Sequence, residues 1–145
     1  MHDTPVELSF CNQPWSNLFI RATGRIQPCC MNSTSLGNIS TDSVDAVWNN
    51  ETLQTIRKHI LCGDYEAAGC SKDCSIIRDI QRDGKINVLP KAWWTSTQQD
   101  SSFAHNMNLY LKSITDRNPT ASNTPITFDI QPNESCNMAC IMCHQ

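Results

Sequence analysis

Three of the nine cysteines in this 145-residue chain stand together as Cys136, Cys140 and Cys143, in a C-x3-C-x2-C run. Thiolates are soft ligands suited to zinc, copper(I) and iron-sulfur clusters. Three of them on one short loop can hold three irons of a four-iron four-sulfur cluster, leaving the fourth iron without a protein ligand. Such an open position can chelate a substrate or cofactor, by the logic that separates open catalytic zinc sites from closed structural ones. A zinc site completed by His144 would use the same three sulfurs as a closed knot. The other six cysteines are Cys11, Cys29, Cys30, Cys62, Cys70 and Cys74. In a reducing compartment, enrichment of this kind with an odd count points to metal sites rather than disulfides.

The elements that must position these groups are legible in outline. Asn17-Leu-Phe-Ile-Arg21 and Ile26-Gln27-Pro28 read as two short strands around a Thr23-Gly24-Arg25 turn. Cys11 lies before this hairpin, and Cys29 and Cys30 follow it. Ser43 is a good N-cap, and Val44, Val47, Trp48, Leu53, Ile56 and Ile60 recur at helical spacing, so a helix is expected up to Leu61 and a stop at Gly63. Cys62 at its end reads as a small buried apolar residue, and Arg57 as a solvated or salt-bridging one. Pro14, Trp15 and Trp48 read as core. Ser75 to Arg82 forms a further short helix ended by Gly84, with Cys70 and Cys74 at the turn before it. Ile126, Phe128 and Ile130 alternate with Thr127 and Asp129 as a strand does, and Pro132 closes it just before the last three cysteines.

The text Pro132-Asn133-Glu134-Ser135-Cys136-Asn137 through Cys143, with the strand ahead of it, resembles the radical S-adenosylmethionine superfamily. The resemblance implies that Cys136, Cys140 and Cys143 hold a four-iron four-sulfur cluster whose open iron binds S-adenosylmethionine. Reductive cleavage would then give methionine and a 5'-deoxyadenosyl radical that abstracts hydrogen from substrate. Met142 takes the place, often aromatic in the family, that packs near the adenine, and a thioether can fill the same apolar space. The implied partners are a reductant such as flavodoxin or ferredoxin and a peptide or small-molecule substrate.

The earlier segment resembles the SPASM auxiliary-cluster domain of that superfamily. The resemblance rests on Cys11-Asn-Gln-Pro14-Trp15, Gly24-Arg-Ile-Gln-Pro28-Cys29-Cys30, Gly37-Asn38-Ile39, Val47-Trp48-Asn49, Ile56-Arg57, Cys70 and Cys74, in that order. It implies a second, fully ligated four-iron four-sulfur cluster on Cys11, Cys29, Cys70 and Cys74. A hairpin brings its ends together, so Cys11 and Cys29 can meet the other two there. Adjacent side chains in an extended stretch point opposite ways, which leaves either Cys29 or Cys30 facing the site; the family pattern points to Cys29. In most relatives the SPASM domain follows the catalytic barrel, whereas the order here is reversed.

The expected architecture is therefore a small α+β, metal-organised SPASM-like domain over residues 1–84, a polar linker over 85–124 with a possible helix around Asn106 to Ile114, and the first strand and cluster loop of a partial radical SAM (β/α) barrel over 125–145. That last piece is expected to carry an unpaired strand edge, and a polypeptide of this extent is not expected to turn over substrate by itself. The net charge of -3, with scattered Lys and Arg, argues against nucleic-acid binding. No apolar run approaches a membrane span and no basic, apolar leader is visible, so a cytoplasmic location is expected. Two other readings use the same cysteines: a zinc-binding cysteine-rich interaction module, and an electron-transfer protein that needs only the first cluster.

Overall fold

The computed structural model describes residues 6–88 and 101–133. Its centre is a four-stranded sheet whose strands lie in the order Gly37–Asn38, Arg25–Gln27, Asn17–Ile20 and Thr127–Ile130. Strands β2 (Asn17–Ile20) and β3 (Arg25–Gln27) form the expected hairpin, with Phe19 opposite Gln27 and Ile20 opposite Ile26. Gly24 makes the turn at φ 84, and a Cβ there would lie 2.6 Å from the Asn38 side-chain oxygen, so this position requires glycine. β4 (Gly37–Asn38) extends the sheet beyond β3. A separate two-stranded ribbon pairs β1 (Val6–Leu8) with β5 (Ile86–Val88).

Among the described residues, five helices pack around this framework. α1 (Gln13–Ser16) carries the buried Pro14 and Trp15. α2 (Val44–Trp48) starts at Ser43, whose hydroxyl accepts from the Ala46 N–H at 3.1 Å. The helix expected to run on to Leu61 breaks at Asn49, and α3 (Glu51–Leu61) restarts with Asn50 as its own N-cap, accepting from the Leu53 N–H at 2.9 Å. Asparagine favours caps over helix interiors because its side chain competes for backbone N–H groups, which accounts for the interruption. α4 (Ser75–Asp83) stops at Gly84, left-handed at φ 73, with its N–H on the Ile80 carbonyl.

Residues 101–124, expected as linker, are instead part of the fold. α5 (Ser101–Thr115) buries Met107, Tyr110 and Ile114 in the common core with Trp15, Leu18, Ile26, Leu53 and Ile60. The loop after it closes over the two core tryptophans. The Trp15 indole N–H donates to the Asn118 carbonyl at 2.7 Å, and the Trp48 indole donates to the Asn123 carbonyl. Three well-placed apolar side chains and a set of carbonyl acceptors suffice to dock a helix whose overall composition is polar, since each large buried side chain contributes about 1.5–3 kcal/mol.

The strand leading toward the last cysteines, β6 (Thr127–Ile130), is also joined to the first domain. It pairs in parallel with β2, Asn17 against Thr127 through Ile20 against Ile130. Among the described residues its outer edge has no partner, and Phe128 and Ile130 are exposed. Where the start of a barrel is expected from residue 125, the described residues show a single strand at the edge of a mixed sheet. No described helix is long and apolar enough to cross a membrane.

Arg57 corrects a second expectation. It is fully buried, not solvated, and four of its five N–H groups have acceptors in place. Its Nε donates to the Pro14 carbonyl at 2.9 Å and its Nη2 to the Trp48 carbonyl at 2.9 Å. Nη1 reaches Asn49 Oδ1 at 2.7 Å and the Pro119 carbonyl at 3.0 Å. The guanidinium lies 4.9 Å from the Trp48 ring centroid and 5.8 Å from that of Trp15. Burial pushes it down to about 9, still above neutral pH, so the charge is retained. Cys62, in contrast, caps α3 on the exposed side and is not buried.

Candidate metal centre

The fold brings Cys11, Cys29, Cys70 and Cys74 from three separate segments to one place. Cys11 lies at the mouth of α1, buried. Cys29 follows β3 and is joined through the bridges Cys29 to Asn32 and Asn32 to Cys70. The Ser71 N–H on the Met31 carbonyl, at 2.9 Å, locks the third segment against the second. Gly69 makes the approach to Cys70 at φ 81, where a Cβ would stand 2.6 Å from Thr34 Oγ1. Cys74 is the buried N-cap of α4, and its side chain makes no capping hydrogen bond, so the sulfur is not committed to the helix.

Electrostatics report the same proximity. Burial pushes the Cys11 thiol strongly up, and the charges of Cys29, Cys74 and Cys70 add to the shift while the Gln13 backbone N–H opposes it. Cys29 is pushed up to about 11, first by burial and then by Cys30, Cys70 and Cys74, against the Met31 backbone N–H. Cys70 is raised by burial and by Cys74, against the side-chain amide of Asn32, whose nitrogen lies 3.8 Å from Sγ. All six pairings among the four sulfurs appear in these interactions. Cys30 enters only through its neighbour Cys29 and points outward, and Cys62 enters none.

Three N–H donors, from Gln13, Met31 and Asn32, are thus aimed at three of the sulfurs. That is the arrangement an anionic thiolate set needs when it is withdrawn from water. Among the described residues no three His, Cys, Asp or Glu side chains stand close enough to share a single ion. Zinc-sulfur bonds of about 2.3 Å would draw tetrahedral sulfurs to roughly 3.8 Å from one another. The four thiols lie within electrostatic range of one another. The donor set fits a four-iron four-sulfur cluster, which asks for four cysteine sulfurs.

Two residues of this site carry no obvious signal in the sequence. Asn32 is buried and clamps the centre: its amide donates to the Ala68 carbonyl at 2.8 Å and its oxygen accepts from the Thr34 N–H at 3.0 Å. Tyr65 is half-buried beside Cys11 and Cys70, and its hydroxyl is raised by burial first and then by the Cys11 charge. An Asn two residues beyond a cysteine pair could have been read as a side-chain turn former. Nothing in the spacing marks Tyr65.

Two openings adjoin the centre. A cleft of about 280 Å³ is lined by Cys30, Met31, Gly69 and Cys70. A groove of about 640 Å³ runs past Asn12, Gln13, Ile76, Tyr110 and Ile126, on the side where the Asn12 amide donates to the Tyr110 hydroxyl at 2.6 Å. The expected positions Cys136, Cys140, Met142, Cys143 and His144 lie outside the described residues.

Residues 11–75 match the family model of SPASM, an iron-sulfur cluster-binding domain. The matched span begins at Cys11 and ends one residue past Cys74. No curated protein and no solved structure gives a significant match to the chain.

Proposed function

Starting from the SPASM iron-sulfur cluster-binding segment at residues 11–75, we propose that this chain is part of a radical S-adenosylmethionine enzyme whose auxiliary cluster domain precedes its catalytic one. Cys11, Cys29, Cys70 and Cys74 would hold a fully ligated auxiliary four-iron four-sulfur cluster, supported by Asn32 and by the Gln13 and Met31 amides. The carrying observation is the convergence of these four buried or half-buried thiols from three segments, each within electrostatic range of the other three.

Cys136, Cys140 and Cys143 would hold the second cluster, with Met142 against the adenine of S-adenosylmethionine. Their spacing and their position directly beyond β6 support this. Such a cluster would supply the electron for reductive cleavage of the cofactor. The chain's own contribution would be to supply the sulfurs of Cys136, Cys140 and Cys143 and to leave one iron open. A flavodoxin-like or ferredoxin-like reductant and a peptide or small-molecule substrate complete the reading.

Anaerobic reconstitution with iron and sulfide tests it. About eight irons per chain, at four per cluster, are expected, with one EPR signal altered by S-adenosylmethionine. Serine at Cys136, Cys140 and Cys143 together should remove the responsive signal and about four irons. Stoichiometric zinc without iron would establish the zinc-module alternative instead.

A further inference from the structure

The sheet has one face on the core and one polar face. Leu18, Ile20 and Ile26 point into the core. Phe19 and Arg21, Arg25 and Gln27, and Asp129 and Gln131 share the other face, as contacts across the strands require: Arg21 Nε donates to Gln27 Oε1 at 2.9 Å, and its Nη1 reaches Gln131 Oε1 at 3.5 Å. On this face two arginines stand directly opposite each other. The register that sets Ile20 against Ile26 sets Arg21 against Arg25, and the Arg21 N–H donates to the Arg25 carbonyl at 2.9 Å.

Like charges opposite each other on paired strands repel and are ordinarily avoided or neutralised. Here they are not neutralised. The ion pairs among the described residues involve Arg82, Lys85 and Lys112, and neither Arg21 nor Arg25 takes part. Asp129, the acid on this face, accepts from Asn17 at 3.1 Å. Two donors beside the arginines are buried and unmatched, Arg25 Nε and Gln27 Nε2, and Gln27 is 0 % exposed. Buried donors without acceptors are rare enough that each asks for an occupant.

We propose that Arg21, Arg25 and Gln27 form a binding site for a carboxylate, carried by an acidic peptide segment. The fork of Arg25 is uncommitted and planar, and its Nε and Nη2 match the two oxygens of one carboxylate. Gln27 Nε2 offers a further donor, while its oxygen and the Phe19 ring, 5.5 Å from the Arg21 guanidinium, hold Arg21 in place. The proposal stands whether or not the cysteine centre binds iron.

The test is fluorescence anisotropy of a labelled octapeptide of alternating Ala and Glu, and of its Ala and Gln counterpart, with the full chain. The acidic peptide should bind saturably, the neutral one at least about tenfold more weakly. Arg25→Gln and Arg21→Gln should each weaken the acidic peptide by about tenfold or more, and Lys58→Gln, an exposed cation on α3, by less than about twofold. Arg25→Lys, which keeps the charge but not the fork, should fall between. It also keeps the comparison valid if Arg25→Gln does not fold. No binding, equal weakening by Lys58→Gln, or affinity unchanged in both arginine variants would overturn the proposal. Displacement by inorganic phosphate at lower concentration than glutarate would overturn the carboxylate assignment in favour of a tetrahedral oxyanion.

Discussion

Asn32 and Arg57 do comparable work with opposite chemistry. Asn32 holds the cysteine segments by satisfying a buried carbonyl and a backbone N–H, and its amide also faces the Cys70 sulfur. Asn32→Ala should cost about 1–3 kcal/mol in denaturant unfolding, the range for buried groups left unmatched, and should speed iron loss from the reconstituted protein. Arg57 satisfies three backbone carbonyls and Asn49 at once. Lysine keeps the charge but not the fan of donors, so Arg57→Lys should cost about 2–4 kcal/mol, read as a drop in unfolding midpoint without change in slope. At the centre, Cys30→Ser should leave iron content at the wild-type value, because Cys30 faces out. Cys29→Ser should lower it by about four irons per chain. Equal loss in both would reassign the ligand.

Removing elements separates what the core needs from what it carries. Ending the chain at residue 124 deletes β6, which adds one strand at a sheet edge; this shortened protein should still unfold cooperatively and keep about four irons. Ending it at residue 88 also deletes α5 and the loop that receives the two indoles, and tryptophan emission should shift to the red with loss of a cooperative transition. The reverse result would restore a linker role for residues 101–124. Much of the local architecture is legible in sequence because it depends on neighbours in the chain. The hairpin follows from Gly24 between two apolar runs, the start of α2 from Ser43, and the stop of α4 from Gly84. The docking of α5 is not legible, since Met107, Tyr110 and Ile114 are few among polar residues and their partners lie far off in sequence. Nor is the burial of Arg57, because a helical arginine looks the same in water or between two indoles until its acceptors are known.

At the scale of the whole molecule, residues 6–88 and 101–130 pack as one body, tied by the core around Trp15, by the Asn123 amide on the Trp15 carbonyl at 2.9 Å, and by the β2 and β6 pairing. Tyr110 gives a probe of that unity. Burial pushes its hydroxyl up to about 12 from an ordinary value of 10.0. The unfolded chain thus loses this proton before the folded one does, and the associated stability is fully present below about pH 10 and lost as pH rises through about 12. Tyr110→Phe removes the titration. Wild-type stability relative to Tyr110→Phe should therefore fall by about 2 kcal/mol between pH 10 and 12, measured by urea unfolding at each pH.

For the proposed cluster, the late position of α5 also has a consequence for how the four sulfurs would be loaded in a living cell. The ribosome delivers Cys11, Cys29, Cys70 and Cys74 before it delivers α5 and Asn123, which complete the core beside them. At roughly 5–20 residues per second, the interval between Cys74 and Asn123 lasts on the order of seconds. During that interval the sulfurs belong to a nascent chain whose interior is still open. Carriers of iron and sulfide would meet their easiest target then, and a chain that finished synthesis unloaded would present them with Cys11 already buried.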